Sequence, residues 1–170
     1  NATVGHGLDS APQYIIVKNR DSDVNWSCML QYSYGGAEGY KTIYKLNTTE
    51  AYNLSSNTQW WQNTAPTSDV FSIGTNDAVN KSGDKFIAYC FHSVTGYSKT
   101  SYYIGNGGTK FNNVGFKPAL VIIKKVNPAE NWYIYDNIRE HPDSMQKPLT
   151  TNNNSAESGN ASLEMTFQSN

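Results

Sequence analysis

The side chains able to do chemistry are few and widely spaced. Asp21, Asp23 and Asn25 stand at alternate positions, so their oxygens could converge on a hard cation as at the start of a calcium loop. Such a loop needs glycine at its sixth position and glutamate at its twelfth, where this chain has Trp26 and Tyr32. The run is therefore expected to be a solvated turn, with no metal and no cofactor. Cys28 and Cys90 are the only thiols, each in an apolar run. An oxidising compartment would let them pair if their Cα atoms approach within about 7 Å; otherwise they serve as two buried thiols, small and apolar. His6, His92 and His141 are scattered, and none is spaced to meet a serine or a metal. The 14 Asp and Glu residues lie mostly in turns, and no two share a strand face. A glycosidase would need two carboxylates facing each other across a cleft, so no enzyme is expected.

One aromatic cluster and one motif class suggest binding and modification instead. In Gln59-Trp60-Trp61-Gln62, neighbouring indoles on an extended chain point to opposite faces, one into the core and one outward. An exposed Trp60 or Trp61 beside amides suits stacking on a sugar ring, while a buried one only covers the core. Asn-X-Ser/Thr sequons begin at Asn1, Asn25, Asn47, Asn53, Asn80, Asn153 and Asn160. Random placement would give about four. Asn1, Asn47, Asn53, Asn80, Asn153 and Asn160 are taken as glycan acceptors on an extracellular surface. Asn25 is set aside because it belongs to an internal repeat. An Asn- and Thr-rich composition would produce sequons without any glycan.

The elements that must carry these residues are β-strands. Runs rich in Val, Ile, Tyr, Phe and Trp fall at 14–18, 26–32, 41–46, 70–73, 85–91, 97–104, 119–124, 132–135 and 163–167, separated by Gly, Asn and Asp turns. Only a short helix near 50–54 is expected. PQYIIVKNRDSDVNW at 12–26 realigns without a gap on PALVIIKKVNPAENW at 118–132, matching Pro12/Pro118, Ile16/Ile122, Lys18/Lys124, Asn25/Asn131 and Trp26/Trp132. The repeat implies two equivalent halves, with both tryptophans in the core. A net charge of -1 and only 16% charged residues give no basic surface for nucleic acid. No apolar run is long enough to span a membrane as a helix. The chain opens on Asn1 with no leader pattern, so the numbering is expected to start after processing or within a longer polypeptide.

The strings APQYIIVKNR, NTAPTSDVFSIGTNDAVNKSGDKFIAYCF, VTGYSKTSYYIGNG and FKPALVIIKKVNPAENWYIYDN resemble a β-sandwich domain found in tail fibres and other structural proteins of phages and environmental viruses. The likeness runs from about Gly5 to the C-terminus. It implies a concanavalin-like jelly roll on an extracellular or virion surface, engaged in self-assembly or receptor contact, and supplies no catalytic residues. The expected fold is an all-β jelly-roll-type antiparallel sandwich of two quasi-repeated halves. Its parts are an N-terminal arm at 1–8, the sandwich at 9–148, a polar tether at 149–161 and a C-terminal strand at 162–170.

The second half is incomplete. In the first half VFSIGTN at 70–76 is followed by the apolar strand FIAYCF at 86–91; in the second, LEMTFQSN at 163–170 matches the former and no counterpart of the latter follows. A strand from a neighbouring protomer would fill that place, and a head-to-tail contact of this kind builds a filament. Leu163, Met165 and Phe167 alternate with polar residues, as in an exchanged strand; the N-terminal arm is the other donor. Pairing of 163–167 within its own sandwich, with the missing strand in a C-terminal continuation of the polypeptide, is the competing arrangement. The expected function is a self-assembling, N-glycosylated fibre subunit with itself as partner; the alternative is a carbohydrate- or receptor-binding module of a tail fibre.

Overall fold

The computed structural model describes all residues except 33–37, 54–56, 140–144, 158, 160, 169 and 170, so His141 and Asn160 lie outside the described residues. The strands are β1 (Ala2–Gly5), β2 (Tyr14–Asn19), β3 (Ser27–Leu30), β4 (Tyr44–Lys45), β5 (Val70–Ile73), β6 (Phe86–Phe91), β7 (Leu120–Lys124), β8 (Trp132–Asp136) and β9 (Leu149–Thr150). They form three sheets: β1-β5, then β4-β3-β2-β6, then β7-β8-β9. All pairings are antiparallel. The fold is an all-β sandwich, as the alternating runs require. Among the described residues helix is confined to α1 (Asp77–Asn80) and short 3₁₀ turns; the Asn76 side chain caps α1 by accepting the Ala78 N–H at 2.9 Å.

Strand β2 shows why these residues make a sheet. Ile15 and Val17 are buried on one face, while Tyr14 and Ile16 lie on the other. Ile15, Val17 and Met29 pack on Phe71, Ile73, Trp61 and Val79, so sheet one and the Trp61 loop cover one face of sheet two. Tyr14, Ile16, Cys28 and Tyr44 on the opposite face meet Trp132 of sheet three. The Trp132 ring stands edge-on to Tyr44 at 6.2 Å, and its indole N–H donates to the Lys45 carbonyl at 3.0 Å. Full burial of such an apolar side chain contributes about 1.5–3 kcal/mol. A third cluster joins Val121 and Tyr135 of sheet three to Met145, Met165 and Phe167.

The sequence repeat is a structural repeat. The β2–β3 hairpin pairs Ile16 with Cys28, and the β7–β8 hairpin pairs Ile122 with Ile134 at the equivalent positions. Both hairpins then add a short third strand, β4 or β9. Val121 and Tyr135 match Ile15 and Met29, so Met165 and Phe167 cover in sheet three the face that Phe71 and Ile73 cover in sheet two.

Several segments differ from the sequence reading. Residues 1–8 are not a free arm, because β1 completes a ladder with β5 from Ala2↔Ile73 to Gly5↔Val70. The proposed tether begins with strand β9, paired with β8 through Tyr133↔Thr150. Residues 163–167 form no regular strand: a 3₁₀ turn at Ala161–Leu163 precedes a single bridge between Met165 and Met145. Residues 97–104 also remain outside the sheets: Ser98 makes only an isolated bridge to Val94, and strand propensity expresses fit to a neighbouring strand, which this segment does not find. No helix forms over 50–53, where Asn53 instead bridges to Ile43; Leu54 lies outside the described residues. Trp132 is buried as expected, whereas its partner Trp26 is only half-buried. No described helix is long and apolar enough to cross a membrane.

Candidate functional site

The repeat separates what the hairpin needs from what it does not. In each half a lysine on the first strand turns its ammonium into the hairpin mouth: Lys18 Nζ donates to the Val24 carbonyl at 2.6 Å, and Lys124 Nζ donates to the equivalent Glu130 carbonyl. In each half an asparagine two residues past the third strand locks the start of the second. Asn47 accepts the Trp26 N–H at 3.0 Å and donates to Asn25 Oδ1 at 2.9 Å. Asn152 accepts the Trp132 N–H at 3.0 Å and donates to Asn131 Oδ1 at 2.7 Å. Asn47 and Asn152 escaped the ungapped alignment because the connection to the third strand is one residue shorter in the second half; one gap would have exposed them. These residues are structural.

Where the halves differ, two features remain. The first is a pair of open edges. Sheet two is closed beside β2 by β6, but among the described residues nothing pairs with the corresponding edge of β7. The outer edge of β6 is equally unpaired. Soluble proteins usually blunt such edges with short strands, prolines or charges. Here β6 reads FIAYCF and β7 reads LVIIK, with no charge before Lys124. Tyr89 and Phe91 are 42% and 47% exposed, and Leu120 and Ile122 are 57% and 41% exposed. Tyr97, Ile104 and Phe111, on the segment linking β6 to β7, are also exposed.

The second feature is a shallow open groove of about 320 Å³, lined by Asp23, Asn25, Lys45, Trp60 and Asn76 over Ala78. Gly74 allows it to form. A Cβ there would come within 2.3 Å of the Gln59 backbone, so only glycine lets the tryptophan loop lie against the end of β5. Gly74 N–H donates to the Trp60 carbonyl at 2.7 Å and Asn76 N–H to the Gln59 carbonyl at 2.8 Å. This loop sends Trp61 inward, where it is 2% exposed and donates to the Thr42 carbonyl at 3.0 Å. Trp60 packs one side on the core and lines the groove.

The remaining residues singled out in the sequence do not assemble. Cys28 and Cys90 flank β2 from opposite sides, paired with Ile16 and Ile15. Two strand spacings, about 9–10 Å, separate them, and they face opposite layers. Both are free thiols, which corrects the disulfide option. Burial pushes the Cys28 thiol up to about 12 and the Cys90 thiol up to about 11. The Asp21-Asp23-Asn25 run does not converge on a cation. Asp21 accepts the Lys85 N–H at 2.7 Å, Asn25 bonds Asn47, and Asp23 points to the groove. Among the described residues no group of three metal-ligating side chains occurs. His6 accepts the Leu8 N–H, and His92 lies 3.3 Å from the Asp9 carboxylate.

Buried Asn19 is a hub that sequence reasoning missed. It accepts the Asp21 and Ser22 N–H groups and donates to Asp84 at 2.8 Å. Hydrogen bonds from Ser22 and Asn19 hold the Asp84 carboxyl below its usual range.

The sequon asparagines differ in availability. The amides of Asn47 and Asn80 donate inside the fold, Asn80 to the Gly74 carbonyl at 2.7 Å. Asn53 sits in the bridge to Ile43. Asn1 and Asn153 are exposed. Of the strand-exchange residues, Phe167 is 2% exposed and Met165 exchanges backbone hydrogen bonds with Met145 at 2.8 and 2.9 Å; Leu163 closes the preceding 3₁₀ turn. This segment serves its own chain in the monomer.

No curated protein matches the chain, and no solved structure does. A family profile matches it over residues 1–170, so the chain belongs to the family described as Domain of unknown function (DUF7483).

Proposed function

We propose that this domain is a structural subunit of an extracellular or virion fibre that polymerises by strand addition. The open edge of β7 carries the reading: it lacks the strand that repeat symmetry places beside it, and it is apolar and free of mid-strand charge. The strand that fills the equivalent place in sheet two is β6, whose own outer edge is open. A neighbour's β6 laid against β7 joins sheet two of one copy to sheet three of the next. Two different surfaces make a heterologous contact, which propagates instead of closing. Since β1 and the C-terminal segment are engaged within their own chain, β6 replaces them as the donor. Glycans, where the source cell adds them, attach at Asn1 and Asn153, which are exposed; the Asn153 amide oxygen accepts from Thr150 and Ser155, but its nitrogen donates to no described residue.

Two single-edge variants test this. Ile122→Lys charges the β7 edge and Tyr89→Lys charges the β6 edge, each at an exposed position. The wild-type chain is expected to polymerise in sedimentation velocity and electron microscopy, and each variant to remain at 18.9 kDa. A mixture of the two variants retains one good edge of each kind and is expected to stop at dimers. Polymers from both variants, or a wild-type chain that is monomeric at every concentration, would overturn the proposal.

A further inference from the structure

We infer that the Trp60 groove is a saccharide-binding site. The inference is independent of assembly, since the groove borders β4, the edge of sheet two opposite β6. The hairpin itself does not require two of the groove's polar members. Asp23 corresponds to Ala129 in the second half, and Lys45 to Thr150 on the equivalent third strand. Those substitutions leave the lysine clamp and the paired asparagines intact. Asn25, shared with the second half as Asn131, serves both purposes: its Oδ1 takes part in the lock while the residue lines the groove, and Asp23 and Lys45 are peculiar to the first half.

Their unused hydrogen-bonding capacity has a definite character. Asn25 Nδ2, Asn76 Nδ2 and the Trp60 indole N–H have no acceptor among the described residues, although both amide oxygens are occupied. The exposed Asp23 carboxylate has no donor among the described residues. Lys45 is held by Glu50 at 2.8 Å, which removes the one cation as an anion site. An indole wall, three N–H donors and one carboxylate acceptor match a pyranose, whose C–H face stacks on an aromatic ring and whose hydroxyls both donate and accept. A volume of about 320 Å³ is at the small end of ligand pockets and suits about one sugar ring. Since the groove is open, the ring can belong to a longer glycan.

The test uses the full chain labelled with ¹⁵N. Its four tryptophans give four indole N–H signals, and the one absent from the Trp60→Phe variant identifies Trp60. Maltohexaose, cellohexaose and chitohexaose are titrated separately. At least one is expected to move the Trp60 signal saturably while the Trp132 and Trp61 signals stay in place. Asp23→Ala reproduces the residue present in the second half, so it is expected to fold normally and to weaken binding about tenfold, the usual effect of one hydrogen bond to a charged group. The inference is overturned if none of the three sugars moves the Trp60 signal, or if the D23A chain binds as well as the wild type.

Discussion

Asn47 and Asn152 show how a polar side chain fixes one sheet into one register. Each satisfies a tryptophan N–H on the neighbouring strand and grips a second asparagine. Truncation leaves that N–H without its acceptor, at a cost of about 1–3 kcal/mol for a buried group. Asn152→Ala is expected to lower the unfolding free energy by about 1–3 kcal/mol and Asn47→Ala by less, because the Trp26 N–H it serves is exposed, each read as a lower urea midpoint at unchanged slope. A loss confined to one of them would show that the halves are not energetically equivalent. The same positions argue against a glycan on Asn47, whose amide nitrogen is already a donor. The thiols give a second check. Cys28 and Cys90 are raised to about 12 and about 11, so at pH 8 both are protonated and poorly nucleophilic. Native protein is expected to resist iodoacetamide at pH 8, to label faster at Cys90 as pH approaches 11, and to label fully at both sites in denaturant. The sign for stability follows: between the usual 9.0 and the raised values the folded chain retains protons that the unfolded chain has lost, so stability falls as pH rises through that window. Rapid native labelling at both sites at pH 8 would contradict their placement.

At the scale of elements, alternation and repetition made much of the fold legible. The period-two runs located β2, β3, β5, β6, β7 and β8, and the repeat identified β2–β3 and β7–β8 as equivalent hairpins before any pairing was known. Among the described residues no strand lies beside β7, and FIAYCF occurs once in the sequence. What remained hidden depends on partners, not propensity. Residues 97–104 carry strand-forming side chains but gain only the Val94–Ser98 bridge, while 2–5, which carry few, are ordered by the β5 ladder. Strand β9 lay concealed in a polar run because it is two residues long and pairs on one side only. The tryptophan pair was legible in outline, one indole in and one outward, but not the groove. That depends on Gly74, 13 residues beyond Trp61, leaving room for the loop. The short edges β4 and β9 and the long apolar edges β6 and β7 differ in a way that matters physically: a two-residue edge offers little template for another chain, whereas five or six residues offer a full ladder.

At the scale of the whole molecule, sheet two is covered on both faces, by sheet one with the Trp61 loop and by Trp132, while sheet three is covered mainly by Met145, Met165 and Phe167. Leu120 and Ile122 on its other face stay exposed beside the open edge. Among the described residues the second half thus repeats the first without a strand beside β7, and in the proposed fibre a neighbouring copy supplies that strand. Hydrogen exchange of the unmodified chain at rising concentration tests this claim most directly. In the assembled protein, peptides covering β6 and β7 are expected to gain protection with concentration, because their outward N–H groups acquire partners; peptides covering β3 and β8 are expected to remain equally protected throughout. Exchange in β6 and β7 that is independent of concentration, in a sample shown to contain polymers, would place the contact elsewhere and contradict the account.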